Sequence, residues 1–232
     1  MQIAGSTALI TGANRGLGRH FAEQLLARGA TVYAAARNPD SVDIPGAISL
    51  ALDVTDRASI ARAAEKAQGV SLLINNAGSF TGASLLDGDR DDIALEMDTH
   101  YFGPLDVIRA FAPQLAGHDQ SAILNILSVL SWVTYPGFSG YSAAKSAAWS
   151  LTNALRQELA GQHTQVSALH VGFMDTDMVS HIDGAKNDPA VVATLALDGL
   201  EAGQLEILAD RMSTQVRTDL AGGVSALYPQ FA

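Results

Sequence analysis

The chain has 232 residues, with 14 Lys+Arg against 24 Asp+Glu and a formal net charge of −10. That length favours one domain, and 48% hydrophobic composition with 16% charged residues excludes a disordered chain. The acidic balance disfavours broad binding to nucleic acid or anionic membrane, and the lack of cysteine excludes disulfides, Cys-ligated zinc and thiolate catalysis.

Residues 1–10 lack the basic and long apolar regions of a signal peptide. The most apolar stretch, 122–133, is broken by Asn125, Ser128 and Ser131 and falls short of the roughly 18 residues that suggest a membrane span. The expectation is a soluble, cytoplasmic protein with no metal site.

Seven β-branched or aliphatic runs read as strands: 7–10, 31–36, 48–52, 71–75, 122–127, 165–171 and 205–208. They are apolar on both alternating faces, as parallel strands covered by helices on each side must be. Between them lie Ala/Leu-rich helical patterns. Leu17, Phe21, Leu25 and Leu26 form one apolar stripe ending at Gly29, and a second helix starts near Asp56 and stops by Gly69. The β-α-β alternation predicts one α/β, doubly wound Rossmann-type domain over 1–232, with right-handed crossovers and helices on both faces. The segment 172–203 carries Asp183-Gly184 and Asn187-Asp188-Pro189, and a small substrate flap is read within it, before the last strand.

The first strand runs into Thr11-Gly12-Ala13-Asn14-Arg15-Gly16-Leu17-Gly18, directly before the first helix. Such a strand-to-helix turn offers unpaired N–H groups and the positive end of a helix dipole, a site for pyrophosphate. The spacing Gly-x-x-x-Gly-x-Gly is also compatible with an ordinary tight turn. An acidic residue at the end of the second strand would favour NAD, whereas this strand closes on Arg37. Arg37 therefore suits the 2′-phosphate of NADP, and Arg15 is a second candidate. NADP(H) is preferred over NAD(H) on this reading.

Tyr141 and Lys145 stand one helical turn apart and share a helix face. An ammonium beside a phenol favours the phenolate and lowers its pKa, which suits Tyr141 to acid–base work. Ser128 closes the fifth strand, at the sheet edge where ligands bind in such folds, with Ser131 a rival hydroxyl on the same loop.

Taken together, these motifs resemble the short-chain dehydrogenase/reductase family over essentially the whole chain, in an NADP-preferring form similar to carbonyl reductases. The matching pieces are Gly12, Gly16 and Gly18, Asp53 after the third strand, Asn75-Asn76-Ala77-Gly78 after the fourth, Ser128, and Tyr141-x-x-x-Lys145. The resemblance implies a seven-stranded parallel sheet of order 3-2-1-4-5-6-7. It implies that Tyr141 is the proton donor/acceptor, that Ser128 polarises the substrate oxygen, and that Lys145 orients ribose and tunes Tyr141. Asp53 and Val54 look like adenine contacts, although Asp53 is equally placed to cap the next helix. Asn76, Ala77 and Gly78 resemble the segment beside the adenosine ribose, with Asn75 tying strands together.

Two departures stand out. Where many relatives carry an Asn that holds a relay water, this chain has His100, which can also relay protons or simply pack. Where the family often has Pro-Gly, it has Val171-Gly172, with Gly172, Phe173 and Thr176 still placed to meet nicotinamide and pyrophosphate.

Trp132, Tyr135, Phe138, Met174 and Met178 lie near the expected mouth and suit a moderately hydrophobic ketone, aldehyde or secondary alcohol, or else fill core. The expected activity is reversible hydride transfer between NADP(H) and a carbonyl/alcohol pair. The alternatives are an NADP(H)-binding sensor or scaffold without turnover, and a cofactor-independent lyase or dehalogenase. Ala143, Ala144, Ala147, Ala148 and Ala154 suit close packing against a second subunit, so a homo-oligomer is expected, although internal packing explains them nearly as well.

Overall fold

Seven strands and eight helices alternate along the chain in the computed structural model, which describes residues 1–179 and 183–231. The strands are β1 (Thr7–Thr11), β2 (Thr31–Ala36), β3 (Ile48–Ala51), β4 (Leu72–Asn75), β5 (Ser121–Ile126), β6 (Thr164–His170) and β7 (Glu206–Leu208). The helices are α1 (Gly16–Ala27), α2 (Arg57–Lys66), α3 (Arg90–Met97), α4 (Gly103–Leu115), α5 (Ser139–Glu158), α6 (Pro189–Glu201), α7 (Arg211–Asp219) and α8 (Gly223–Leu227). A single π turn, Asp98–Phe102, joins α3 to α4.

Every strand pairing is parallel, and the order is β3-β2-β1-β4-β5-β6-β7, as the sequence pattern and resemblance anticipated. The direction of winding reverses between β1 and β4, and the crevice there opens at the carboxyl ends of the strands.

Side chains alternate across the sheet, so one strand feeds two cores. Ala8, Ile10, Leu72, Ile74 and Leu124 face Phe21 and Leu25 of α1 and Leu197 and Leu200 of α6. Leu9, Leu73 and Ile123 face Val107 and Phe111 of α4 and Leu151 and Leu155 of α5. Each Leu, Ile, Val or Phe among them contributes about 1.5–3 kcal/mol by leaving water, and buried polar residues within the strands, such as Ser121, Thr164 and Ser167, are hydrogen-bonded.

Much of the segment 172–203, within which a flap is expected, is regular helix. Residues 189–201 form α6, started by the Asp188 side chain accepting from Ala190 N at 2.8 Å. Val192, Ala193, Ala196, Leu197 and Leu200 bury it against the rest of the domain. Apolar residues at helical spacing make this part of the body, despite the Asp, Gly and Pro that precede it. Before α6, residues 172–176 and 183–187 are irregular and are pinned together by Asn187 N donating to Phe173 O at 2.8 Å and Asp175 N to Asn187 O at 2.9 Å. Positions 180–182 of the expected flap lie outside the described residues.

After β7 the chain folds back over the end of β5. Val216, Leu227 and Tyr228 pack on Val129, Leu130 and Val133, and Thr134 N donates to Tyr228 Oη at 2.9 Å. No helix among the described residues is long and apolar enough to cross a membrane, and no cluster of His, Asp or Glu among them is arranged to hold a metal ion.

His170 ends β6 fully buried, stacked on Trp132 at 3.9 Å between ring centroids, with Nδ1 donating to Ser128 O at 3.2 Å. Burial pushes its pKa down to about 4. The unfolded chain binds that proton from about pH 6.5 downward, whereas the folded one resists it, so folding stability is lost as pH falls from about 6.5 toward about 4. The expected loss is on the order of 2–3 kcal/mol. Thermal melts at pH 7.5 and 5 should show a smaller acid-side drop in Tm for His170→Gln than for the parent.

Candidate functional site

The carboxyl edge of the sheet gathers three sets of groups: a glycine turn at β1–α1, the hydroxyls after β5, and the start of α5. Gly12 adopts φ +67°, and a Cβ there would lie 2.9 Å from Ala77 Cα. At Gly18 a Cβ would lie 2.3 Å from the Gly12 carbonyl oxygen, so the turn closes on itself only with glycine. Asn76 braces this turn, its Nδ2 donating to Thr11 O at 2.9 Å and Gly12 O at 3.0 Å. The Asn76 side chain is thus committed to the turn, and Ala77 N is held by Thr11 Oγ1 at 3.0 Å. Asn75 Nδ2 donates to Asn125 Oδ1 at 2.8 Å, tying β4 to β5 as expected.

Helices α2, α3, α6 and α7 each begin on an Asp whose carboxylate accepts a first-turn N–H. By contrast α1 follows Arg15 with no side-chain cap and no acidic residue in its first turn. Its N–H groups and dipole therefore face the crevice beside Asn14 and Gly16 without an internal anion, the electrostatic condition for a phosphate. A dinucleotide fits this cradle. Leu17 contributes backbone only, because its side chain is buried in the core.

Arg37 is exposed at the end of β2 with no ion-pair partner among the described residues. Arg15 instead reaches across the crevice to Asp177, Nη1 to Oδ2 2.9 Å, an exposed pair that costs little to break. Asp53 does not cap α2, a role that falls to Asp56. Its Oδ1 accepts from Thr55 N at 3.0 Å and Thr55 Oγ1 at 2.8 Å, while Val54 packs against the core. Gly172 N donates to Asp210 Oδ2 at 2.6 Å, a partner 38 positions away that no local pattern announces.

Ser128 and Tyr141 line one cleft of about 70 Å³ together with Phe80, Val129, Leu130, Tyr135, Phe138, Gly172, Phe173, Met174, Thr176 and Met178. Ser128 Oγ donates weakly to Val171 O at 3.3 Å and accepts from Leu130 N at 3.1 Å. Ser131 lies behind it, its Oγ accepting from Ser128 N, and does not line the cleft. Trp132, expected at the mouth, is instead buried against His170. The short 3₁₀ turn Val129–Ser131 swings its indole away from the opening.

Lys145 lies beneath this pair. Its Nζ donates to Ile126 O at 2.8 Å and sits 5.5 Å from the Tyr141 ring centroid. The expectation that this ammonium lowers the Tyr141 pKa does not hold. Burial raises the phenol well above its ordinary value and the Glu96 carboxylate adds to the rise, while Ser128 acts in the opposite direction. Exclusion of water from the phenol dominates. Burial also pulls Lys145 down to about 8, against the pull of Glu96.

His100 is held in the π turn, its ring edge-on to Tyr141 at 5.0 Å. Its Nε2 lies 2.9 Å from Ser79 O and 3.2 Å from Glu96 Oε2. Gly78 gives this ring its room, since a Cβ there would come within 3.1 Å of His100 Cε1. Glu96 was not singled out in the sequence, although its i,i+4 spacing to His100 was visible there.

The comparisons agree with this geometry. The family model for short chain dehydrogenases matches residues 6–187. A 3-ketodihydrosphingosine reductase of Bacteroides thetaiotaomicron is 33% identical over 193 residues, covering 78% of this chain and 71% of that protein. The 3-oxoacyl-[acyl-carrier-protein] reductase FabG of Vibrio harveyi is 33% identical over 223 residues, covering 88% of this chain and 86% of that one. A short chain dehydrogenase from Burkholderia cenocepacia J2315, solved in complex with NADP, superposes with a TM-score of 0.94 at 36% identity, covering 99% of this chain and 98% of that one. A relative from Burkholderia phymatum solved with NAD has a TM-score of 0.84 at 25% identity, covering 95% of both chains. On the family model and the matching fold, the chain belongs to the short-chain dehydrogenase/reductase family, whose oxidoreductases interconvert carbonyls and alcohols with NAD or NADP.

Proposed function

We propose that this protein is an NADP(H)-dependent reductase of ketones or aldehydes carried on an apolar skeleton, with Tyr141 as the proton donor. The observation that carries the reading is that Ser128 and Tyr141 face one apolar cleft while Lys145 lies beneath the phenol. NADPH, when bound, supplies the hydride to the carbonyl carbon. Tyr141 gives its proton to the carbonyl oxygen, and Ser128 donates a hydrogen bond to that oxygen as negative charge develops on it. Lys145 holds the cofactor ribose and keeps positive charge under the ring. His100, in place of the relay amide, is assigned to proton exchange behind Lys145. Gly12, Gly16, Gly18 and the free start of α1 would hold pyrophosphate, with Asp53, Val54 and residues 76–78 along the adenosine half and Phe173 and Thr176 at the nicotinamide half.

Arg37, exposed where β2 ends, supports a 2′-phosphate partner. The structural relative solved with NADP supports the same choice. Phe80, Phe138, Phe173, Met174 and Met178 support an apolar substrate, and the two curated relatives are named as reductases of 3-keto and 3-oxoacyl compounds. Gly172, Phe173, Met174, Thr176 and Met178 line the cleft, and the segment that carries them is assigned as its substrate flap. A cytoplasmic homo-oligomer completes the proposal; of the alanines expected at its interface, Ala144 and Ala148 are buried within the domain, which leaves Ala143, Ala147 and Ala154 on the outer side of α5.

NADPH consumption against a panel of carbonyl compounds tests the activity. Tyr141→Phe should lower kcat about 10²–10⁴-fold while the Kd for NADPH stays within a few-fold of the parent. Unchanged turnover would remove Tyr141 from the mechanism. Arg37→Ala should raise the KM for NADPH about 10–100-fold and leave NADH nearly unaffected, the loss of one charge-assisted phosphate contact. Because the buried phenol holds its proton above its ordinary range, reduction should be fast through neutral pH. Alcohol oxidation, which needs the phenolate, should rise toward alkaline pH in initial-rate profiles.

A further inference from the structure

Among the described residues, Glu96 (0% exposed) and Lys145 (6% exposed) are the only Asp, Glu, Lys or Arg side chains that are buried. One negative and one positive charge have been taken out of water in the same place. An isolated buried charge is costly enough that such groups are found compensated or neutralised. Lys145 makes no direct ion pair, and its hydrogen bond goes to the Ile126 carbonyl.

The group between them is His100. Its Nε2 faces two acceptors, Ser79 O at 2.9 Å and Glu96 Oε2 at 3.2 Å, and one donor, Ser79 N, farther off at 3.3 Å; the two nearer acceptors, one of them a carboxylate, place the proton on Nε2. Nδ1 then carries a lone pair, is buried, and makes no hydrogen bond among the described residues. His100 and Lys145 line one small cavity of about 10 Å³ with Asn75, whose Oδ1 is likewise buried and unpaired. That is the room of about one water molecule, with two acceptors and one donor around it. A neutral imidazole oriented this way turns its N–H toward the anion and its lone pair toward the cation. The carboxylate itself is fixed from three sides, Oε1 accepting from Thr81 N at 2.5 Å and Oε2 from Ser79 Oγ at 2.9 Å and from His100.

We propose that Glu96 is the counter-charge of the active-site ammonium, a positioning residue that acts through His100 to keep Lys145 protonated beneath Tyr141. The proposal rests on the role given to Lys145 above. Besides Glu96 from α3 and His100 from the π turn, the group facing Lys145 is Tyr141 of its own helix, and Asn75 and Asn125 from β4 and β5 are neutral. The Glu96 charge favours the ammonium and opposes ionisation of the phenol. It therefore holds both protons in place at neutral pH.

The chain has three lysines, Lys66, Lys145 and Lys186, so side-chain titration by ¹³C NMR is tractable. The Lys145 signal, assigned by its loss in Lys145→Met, should titrate near pH 8 in the parent protein and lower by about one unit in Glu96→Gln. An unmoved midpoint in a folded Glu96→Gln protein would overturn the proposal, because a carboxylate that only anchors Ser79 and Thr81 leaves Lys145 untouched. Should Glu96→Gln not fold, Lys145→Met reads the same coupling from the other side. Removing the ammonium should raise the midpoint of the Glu96 carboxyl, and a midpoint equal to the parent's would refute the pair. Neither titration needs turnover, so a protein that reduces no carbonyl defeats the proposed activity and leaves this inference to be decided on its own. In active protein, Glu96→Gln should also move the alkaline limb of kcat/KM to lower pH.

Discussion

A lysine ammonium buried under a tyrosine ring at the carboxyl edge of a parallel sheet is the constraint around which this protein is organised. Lys145 can sit there because β5 ends on a carbonyl, Ile126 O, that is free to accept its proton. It stays charged only if an anion shares the low-dielectric interior, and Glu96 is the carboxylate buried with it. The π turn between α3 and α4 follows from the same need, since it carries His100 between the two charges. An irregular helical turn of this kind commonly marks a functional site.

Around that charge the fold supplies two complementary environments. On one side the β1–α1 turn offers N–H groups to an anion, and Gly12 and Gly18 hold positions in it where a Cβ would clash. On the other, aromatic and Met side chains wall a cleft in which Ser128 and Tyr141 present hydroxyls. Exclusion of water there explains why the phenol is driven up and not down. The polar network behind the cleft, from Asp210 to Gly172 and from His170 to Ser128, fixes backbone that lines it.

Much of this was legible in the sequence, for a physical reason. A parallel strand covered on both faces must be apolar at every position, so all seven runs stood out, with ends shifted by no more than one residue. The glycine turn, Ser128, Tyr141 and Lys145 were legible because their backbone and spacing requirements leave a local pattern. Helix α6 was missed because Asp183, Gly184 and Pro189 read as loop, whereas burial of Val192, Ala196 and Leu200 decides the outcome. Glu96 was missed because a glutamate in a helix reads as surface. Its burial depends on Ser79 and Thr81 coming from a loop after another strand. Trp132 pointed the wrong way for a similar reason, and the direction of the Tyr141 shift depends on solvent exclusion that no spacing encodes.

The account turns on Ser128 and Tyr141 sharing a single substrate oxygen above Lys145. A crystal structure of the protein with NADPH and an unreactive analogue of a reducible ketone measures this directly. The oxygen should lie about 3 Å from both Ser128 Oγ and Tyr141 Oη, with the Lys145 ammonium still beneath the ring. An analogue oxygen held by other groups, with those two hydroxyls apart, would contradict it.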